Sequence, residues 1–439
     1  MSKRELFSGR FATIITMIGI SIGLGNVWRF PYMMGEYGGS AFLVIFLIFS
    51  FFFAVPAVMA EWSLGRSSRQ GPVGAFSSVF GDKVGRVIGW SLIFTIVIAE
   101  SYYLYIIANV GFSASFSIFN GFTLENLTNY NQSLNNGWLQ YGICLFLLLL
   151  SYYVMARGLK RGLEFISQLF VPFFVGVMIL LIIFALQLDN APMHLMNFLK
   201  PDFSQLESSH VFAALGQAFY SLGLGGTFLI VFGSYIRPED SLGKDSIYMA
   251  LGDVGAAVMA GLFIVPTVLA LGLNMSQGPG LLFSTLPELF IRMPNGQFIG
   301  SLFLVALLLV TFISSIAALE VIVTGIDDAI NAEQTKISRN KITAYICVLV
   351  SLVLIYISYN PSIIGTLDLI FGSGMQLLGS MLVLLGVTWG VSKVETLRAV
   401  FGDSSEQGKR WHQVYYYWVK WVVPAALLSV LIGYIYSKI

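Results

Sequence analysis

Charge is scarce in this chain. Asp, Glu, Lys and Arg make up 11% of its 439 residues, against 56% for hydrophobic residues. A soluble domain carries about 25% charge, so the composition excludes one and points to a chain that crosses a membrane many times. A net charge of +1 and the lack of a basic tail exclude a nucleic-acid partner. Cysteine is nearly missing: Cys144 and Cys347 both fall in apolar runs, which leaves no metal-binding spacing and no extracellular disulfide. The histidines, His194, His210 and His412, stand apart near the ends of apolar runs. No nucleophile–base constellation accompanies them, so no enzyme is expected. A cleavable leader is not expected either, because Lys3, Arg4 and Arg10 lead straight into the first apolar run.

What is present is apolar sequence in spanning lengths. The runs fall near 11–34, 40–64, 86–114, 138–156, 163–187, 209–235, 246–272, 299–326, 341–358, 364–391 and 413–436, which predicts an all-α polytopic protein of eleven helices. Basic residues gather on alternate loops: Arg66, Arg69, Lys83 and Arg86 after the second run, Arg157, Lys160 and Arg161 after the fourth, Arg237 and Lys244 after the sixth. The intervening loops hold only Lys200 and Arg292. The positive-inside bias therefore puts the N-terminus in the cytoplasm and, after an odd number of spans, the C-terminus outside. The loop 273–298 reads as an external lid around the apolar piece Gly280–Met293. Pro172 lies in the fifth run, where it implies either a static kink or local unwinding.

One stretch resists the pattern. Residues 19–31 read GISIGLGNVWRFP, with Gly19, Gly23 and Gly25 in seven residues, then Asn26 and Arg29. Glycine weakens a helix by about 1 kcal/mol relative to alanine, and polar residues at membrane depth are usually functional. Hydrocarbon cannot satisfy the backbone groups of a broken helix, so this segment is expected to face a polar cavity. Ser21-Ile22-Gly23-Leu24-Gly25 recurs as Ser221-Leu222-Gly223-Leu224-Gly225 in the sixth run. A matched pair of glycine-interrupted spans marks a transporter site at the two breaks; taken singly, each is equally well a small-residue packing face.

Other polar residues at membrane depth join the candidates. Glu61 needs a partner and is placed to cap the break of the first or the sixth helix. Glu100, Tyr102 and Tyr103 lie on the third span, Asp253 on the seventh, and Thr311, Ser314, Ser315 and Glu320 on the eighth. Hydroxyls and carboxylates are hard oxygen donors suited to a small cation. Arg29 and Asp368 lie toward the outside; Arg4, Tyr235 and Asp328 lie toward the inside.

Gly23 to Tyr32 (GLGNVWRFPY), Glu36-Tyr37-Gly38-Gly39 and the run Glu61 to Arg66 resemble the signature of the neurotransmitter:sodium symporter family. The resemblance extends over all eleven helices, through Tyr103, Gln217 to Gly225 and Ser314-Ser315. It implies one transporter domain with inverted five-helix repeats, about 11–187 and 209–391, broken first and sixth helices, and an extra helix 413–436. It implies sodium-coupled uptake of a small amino-acid or amine substrate across the plasma membrane by alternating access. Residue by residue, it implies that the substrate carboxylate sits on the N–H groups of Leu24 and Gly25 and on the Tyr103 hydroxyl. The amine meets carbonyls around Ser21, Tyr220 and Ser221. A first Na+ takes Ser21, Asn26, Ser221 and Asp253; a second takes carbonyls of Gly19, Ile22 and Val310 with Ser314. Arg29 with Asp368 forms an outer gate, and Arg4 with Asp328 and Tyr235 an inner one.

The departures from the pattern are informative. Amine-transporting members place aspartate where Gly23 stands, so an α-amino acid is expected. Asp253 replaces the usual asparagine, and Ile313 replaces a second-site oxygen donor. Phe46 and Ala257 stand where chloride-dependent relatives place hydroxyls, so chloride independence is expected. Ala99, Gly223, Gly226 and Ala318 replace larger pocket residues, and Glu100 replaces a small or apolar one. These imply a substrate with a large or cationic side chain. The alternative on the same scaffold is a proton-coupled or uncoupled exchanger. A monomer or weak dimer in the lipid bilayer is expected.

Overall fold

The computed structural model describes residues 4–273, 282–331, 337–402 and 410–436. Among these residues every regular element is helical. Among the described residues nine helices are long and apolar enough to cross a membrane, ten if one bent pair counts as a span. Large apolar side chains such as Phe94, Phe146, Leu149, Tyr345 and Leu352 remain exposed on the flanks. Stripes of that kind on spanning helices are covered by lipid, and the protein is a multi-pass membrane protein.

The bent pair is the glycine-rich first span. Arg10–Ser21 and Gly25–Glu36 meet at 54°. The chain leaves the helix at Ile22, which is extended (φ −69°, ψ 117°). The Gly23 N–H then donates to the Asn26 side chain at 3.1 Å, which replaces the lost helical acceptor. The stretch 209–235 divides similarly, into Ser208–Ser221 and Phe228–Gly233. Gly223 (φ 66°) and Gly226 (φ 72°) turn the chain between them through the left-handed region, which glycine enters without steric penalty.

Glu61 settles between its two expected partners. It is fully buried and accepts the N–H groups of Gly225 (3.1 Å) and Gly226 (3.0 Å), so it caps the sixth-helix break and not the first. Close backbone contacts fix this region. A Cβ on Gly65 would lie 2.0 Å from the Ile230 carbonyl, and one on Gly379 would lie 2.1 Å from that of Gly225. Two long helices, Asp82–Phe119 and Gly296–Asn331, pack against each other and supply the wall opposite the breaks.

Pro172 lies inside a wound helix, Phe165–Leu186, preceded by a wider π-helical turn over Leu159–Glu164. The structure shows no unwinding there. Within the stretch read as a lid, Thr285–Arg292 forms a short helix that buries Leu286, Leu289 and Phe290. Gly280, where that lid was expected to begin, lies outside the described residues, as do Lys3 and the chain beyond 436.

Candidate functional site

The two breaks face each other across a cavity of about 100 Å³. Ser21, Gly23, Leu24 and Gly25 line it from the first span; Tyr220, Ser221 and Gly223 from the sixth; Ala99, Glu100 and Tyr103 from the third; Ser314 and Ala318 from the eighth. Twelve of the thirteen residues expected around a substrate thus share one space.

Gly226 is the exception and corrects the expectation. A Cβ there would meet Phe76 and the Gly379 carbonyl at 3.0 Å, so this glycine serves close helix packing and opens no pocket volume. The turn it makes instead brings Phe228 into the lining. Tyr102, a candidate from the sequence, also lines the cavity, while Phe228, Ile20, Ile96 and Gln376 are lining residues that sequence reasoning missed. Ile96 was accessible to it, lying seven residues before Tyr103 on the same helix face. Phe228 and Gln376 depend on how the break turns and on packing between distant helices.

At one end the cavity presents backbone groups of Leu24 and Gly25 beside the Tyr103 hydroxyl. A Cβ on Gly23 would lie only 2.8 Å from that hydroxyl, so position 23 has no room for an aspartate in this arrangement. The Tyr220 ring lies on Gly25, 3.1 Å from where a Cβ would sit. The Arg29 guanidinium lies over the same ring, 4.7 Å from its centroid. Asp368 accepts from Tyr102 at 3.1 Å.

Beside the cavity Asp253 is fully buried. The Asn26 amide donates to its Oδ1 at 2.8 Å and the Ser221 hydroxyl to its Oδ2 at 2.7 Å. Asn26 also donates to Ser221 at 3.0 Å. This carboxylate therefore has neutral hydrogen-bonding partners and, among the described residues, no ion pair. A buried charge held in that way is incompletely compensated, and its neighbours are hard oxygen donors of the kind a small cation takes.

Ser314 occupies the second expected ion position. Its hydroxyl lies within hydrogen-bonding reach of the carbonyls of Ile20 (3.0 Å), Ile22 (3.1 Å) and Val310 (3.5 Å), any one of which can take its single proton. On the broken first span its partners are the carbonyls of Ile20 and Ile22. A Cβ on Gly19 would lie 2.9 Å from Val171 and 3.4 Å from both Ile313 and the Ser167 hydroxyl. Thr311 bonds back to Leu307 and Leu308 on its own helix.

Near the start of the chain, Arg4 holds both carboxylate oxygens of Asp328 at 2.8 Å and donates to Ser234. Its guanidinium lies 4.9 Å from the centroid of the Tyr235 ring. Tyr235 donates to Glu320 at 2.7 Å, and Arg339 reaches the same carboxylate at 2.6 Å. A connected set of charged and hydroxyl groups thus joins Arg4, Asp328, Ser234, Tyr235, Glu320 and Arg339 at the end of the bundle where the chain begins.

A model of the sodium:neurotransmitter symporter family matches residues 4–133 and 120–438. The chain belongs to this family. Among curated proteins it is 26% identical over 445 residues to an uncharacterized sodium-dependent transporter of Bacillus subtilis (strain 168), covering 99% of this chain and 98% of that one. It is 28% identical over 464 residues to an uncharacterized sodium-dependent transporter of Haemophilus influenzae, covering 98% of each. Among solved structures, MhsT in complex with L-phenylalanine matches with a TM-score of 0.87 at 28% identity, over 98% of this chain and 100% of that chain. This symporter-family chain is a transporter and not an enzyme.

Proposed function

We infer that the protein carries out sodium-coupled uptake of an α-amino acid by alternating access. The observation that carries this reading is Asp253: a fully buried carboxylate, hydrogen-bonded to the neutral side chains of Asn26 and Ser221, at the edge of a cavity formed by two helix breaks. A sodium ion there would supply the missing positive charge, with the Asn26 amide turning its oxygen inward and the Ser221 hydroxyl rotating its proton away. The ion would then bridge both broken helices to the seventh span, which couples occupancy to the geometry of the cavity.

The substrate would place its carboxylate on the N–H groups of Leu24 and Gly25 and on the Tyr103 hydroxyl. A helix N-terminus favours an anion, and Gly23 leaves space for the ligand's own charge. That MhsT is solved with L-phenylalanine agrees with an amino-acid ligand. Gly223, whose Cβ direction is open, and the short side chains of Ala99 and Ala318 leave room for a large side chain.

Asp253 also supports chloride independence, because it places a fixed negative charge beside the ion site. The second sodium site is weak on this reading, since Ile313 brings hydrocarbon where an oxygen donor is needed. Arg4 with Asp328, over Tyr235, serves as the inner gate; Arg29, Tyr220, Tyr102 and Asp368 form the outer one. The N-terminus is cytoplasmic. Uptake of labelled amino acids into proteoliposomes, with Na+ replaced by choline at fixed pH, tests the reading. The runner-up, proton-coupled or uncoupled exchange with Asp253 or Glu100 as the titrating group, predicts transport that survives that replacement.

A further inference from the structure

Glu100 is not accounted for by the ion site or by either gate. It lies on the third span, lines the cavity and is 2% exposed. Its Oε1 accepts the Ser315 hydroxyl. Its Oε2 is buried and has no hydrogen-bond partner. None of the ion pairs among the described residues reaches it. A half-satisfied carboxylate at membrane depth is expensive and defaults to function.

Its position limits what that function is. Glu100 precedes Tyr103 by three residues, about 4.5 Å along the helix axis at 1.5 Å per residue, and nearly on the same face. Tyr103 marks the end of the cavity that takes the substrate backbone. Glu100 is therefore one helical turn deeper, where a side chain extending from the substrate Cα arrives. Ile20, Ile96, Ala99 and Ala318 give the same cavity apolar and small lining. That lining suits the methylene stem of a long side chain, and Glu100 offers a carboxylate acceptor for its tip.

We propose that Glu100 is the specificity-determining residue of this site and that the transported amino acid carries an ammonium or guanidinium group at the end of a long side chain. The inference rests on the amino-acid reading above and narrows it to one substrate class. The cation donates to Glu100 Oε2 and supplies the charge that the protein withholds. A neutral amino acid of the same length leaves the carboxylate uncompensated, so the preference comes from the unmatched acceptor as much as from attraction.

The test is equilibrium binding to the purified full-length protein in NaCl, with L-lysine, L-arginine, L-leucine and L-tryptophan as competing ligands and thermal stabilisation as the second readout. Wild type is expected to bind lysine or arginine more tightly than leucine and tryptophan. Glu100→Gln keeps the shape and removes the charge. It is expected to weaken lysine and arginine by about 30-fold or more, the usual consequence of removing one member of a buried charge pair. Leucine should stay within about threefold, because apolar contacts are unchanged. If wild type binds leucine or tryptophan in a Na+-dependent way and rejects both basic amino acids, this inference is overturned while the symport reading stands. If Glu100→Gln weakens all four ligands equally, Glu100 is structural and the inference also fails. Should none of a full set of α-amino acids bind wild type in Na+, both readings fall together.

Discussion

The Ser221 hydroxyl donates to Oδ2 of Asp253 at 2.7 Å, joining the end of a broken helix to the interior of a continuous one. Asn26, from the other break, donates to Oδ1 of the same carboxylate at 2.8 Å. One acidic side chain thus ties together the two segments that interrupt the fold, and any cation drawn to it acts on both.

Neutralising that side chain is expected to weaken Na+ and to create a need for another anion. Asp253→Asn should lower apparent Na+ affinity by about tenfold or more, since hydrogen bonds and contacts to a charged group contribute about 1.5–3 kcal/mol. Transport by the variant should become sensitive to replacement of chloride by gluconate, while wild type is unaffected. Wild-type uptake that collapses in gluconate contradicts the role given to Asp253.

The second ion position can be tested in both directions. Ile313→Thr supplies the oxygen that the site lacks, and the Hill coefficient for Na+ should rise from near one toward two in a Na+-activation curve. Ser314→Ala should leave the wild-type coefficient near one. A hard cation wants about six oxygen ligands, so a wild-type coefficient clearly near two would show that other groups complete the site.

Breaking the inner gate should shift the resting population toward an inward-open form. Arg4→Ala removes both contacts to Asp328 and the packing on Tyr235. A partly exposed pair of this kind contributes about 1 kcal/mol, which corresponds to roughly a fivefold change in the equilibrium between states. Apparent Na+ affinity measured from the outside should fall by a similar factor in an external Na+ titration of uptake. An unchanged affinity would place the closure elsewhere.

Close helix packing gives a stability prediction. Gly65→Ala directs a Cβ to 2.0 Å from the Ile230 carbonyl, and overpacking of this kind destabilises by about 1–3 kcal/mol. Gly255→Ala, with nothing within 4 Å of the new Cβ, serves as the reference; in a helix it should be neutral or stabilising by up to about 1 kcal/mol. A thermal unfolding scan of the two variants in detergent should therefore move in opposite directions or leave Gly255→Ala at the wild-type midpoint.

Much of the site was legible in the sequence because its signals are local. The glycines at 23 and 25, the polar pair Asn26 and Arg29 and the repeat at 221–225 violate the rule of an uninterrupted apolar span, and the structure breaks the chain at both places. Glu61 was recognisable as a cap but not its target, since that choice depends on which break folds back toward the second span. Gly226 was misread for a similar reason. A missing side chain says that something comes close but not what, and here it is the Gly379 backbone and Phe76. Phe228 then fills part of the space that Gly226 was expected to leave. That the Ser314 hydroxyl reaches the carbonyls of Ile20 and Ile22 depends on the pitch of the broken turn, which no spacing in the sequence fixes.

The central claim is that Na+ bound at Asp253 drives amino-acid uptake. The most direct measurement is concentrative uptake of labelled amino acids into proteoliposomes under an imposed Na+ gradient, at fixed pH, for wild type and Asp253→Ala. An inside-negative potential adds about 2.3 kcal/mol per 100 mV for each Na+ moved. Accumulation should therefore rise with both the gradient and the potential in wild type, and vanish in the variant. Accumulation that persists when choline replaces Na+, or that Asp253→Ala leaves intact, would contradict the account.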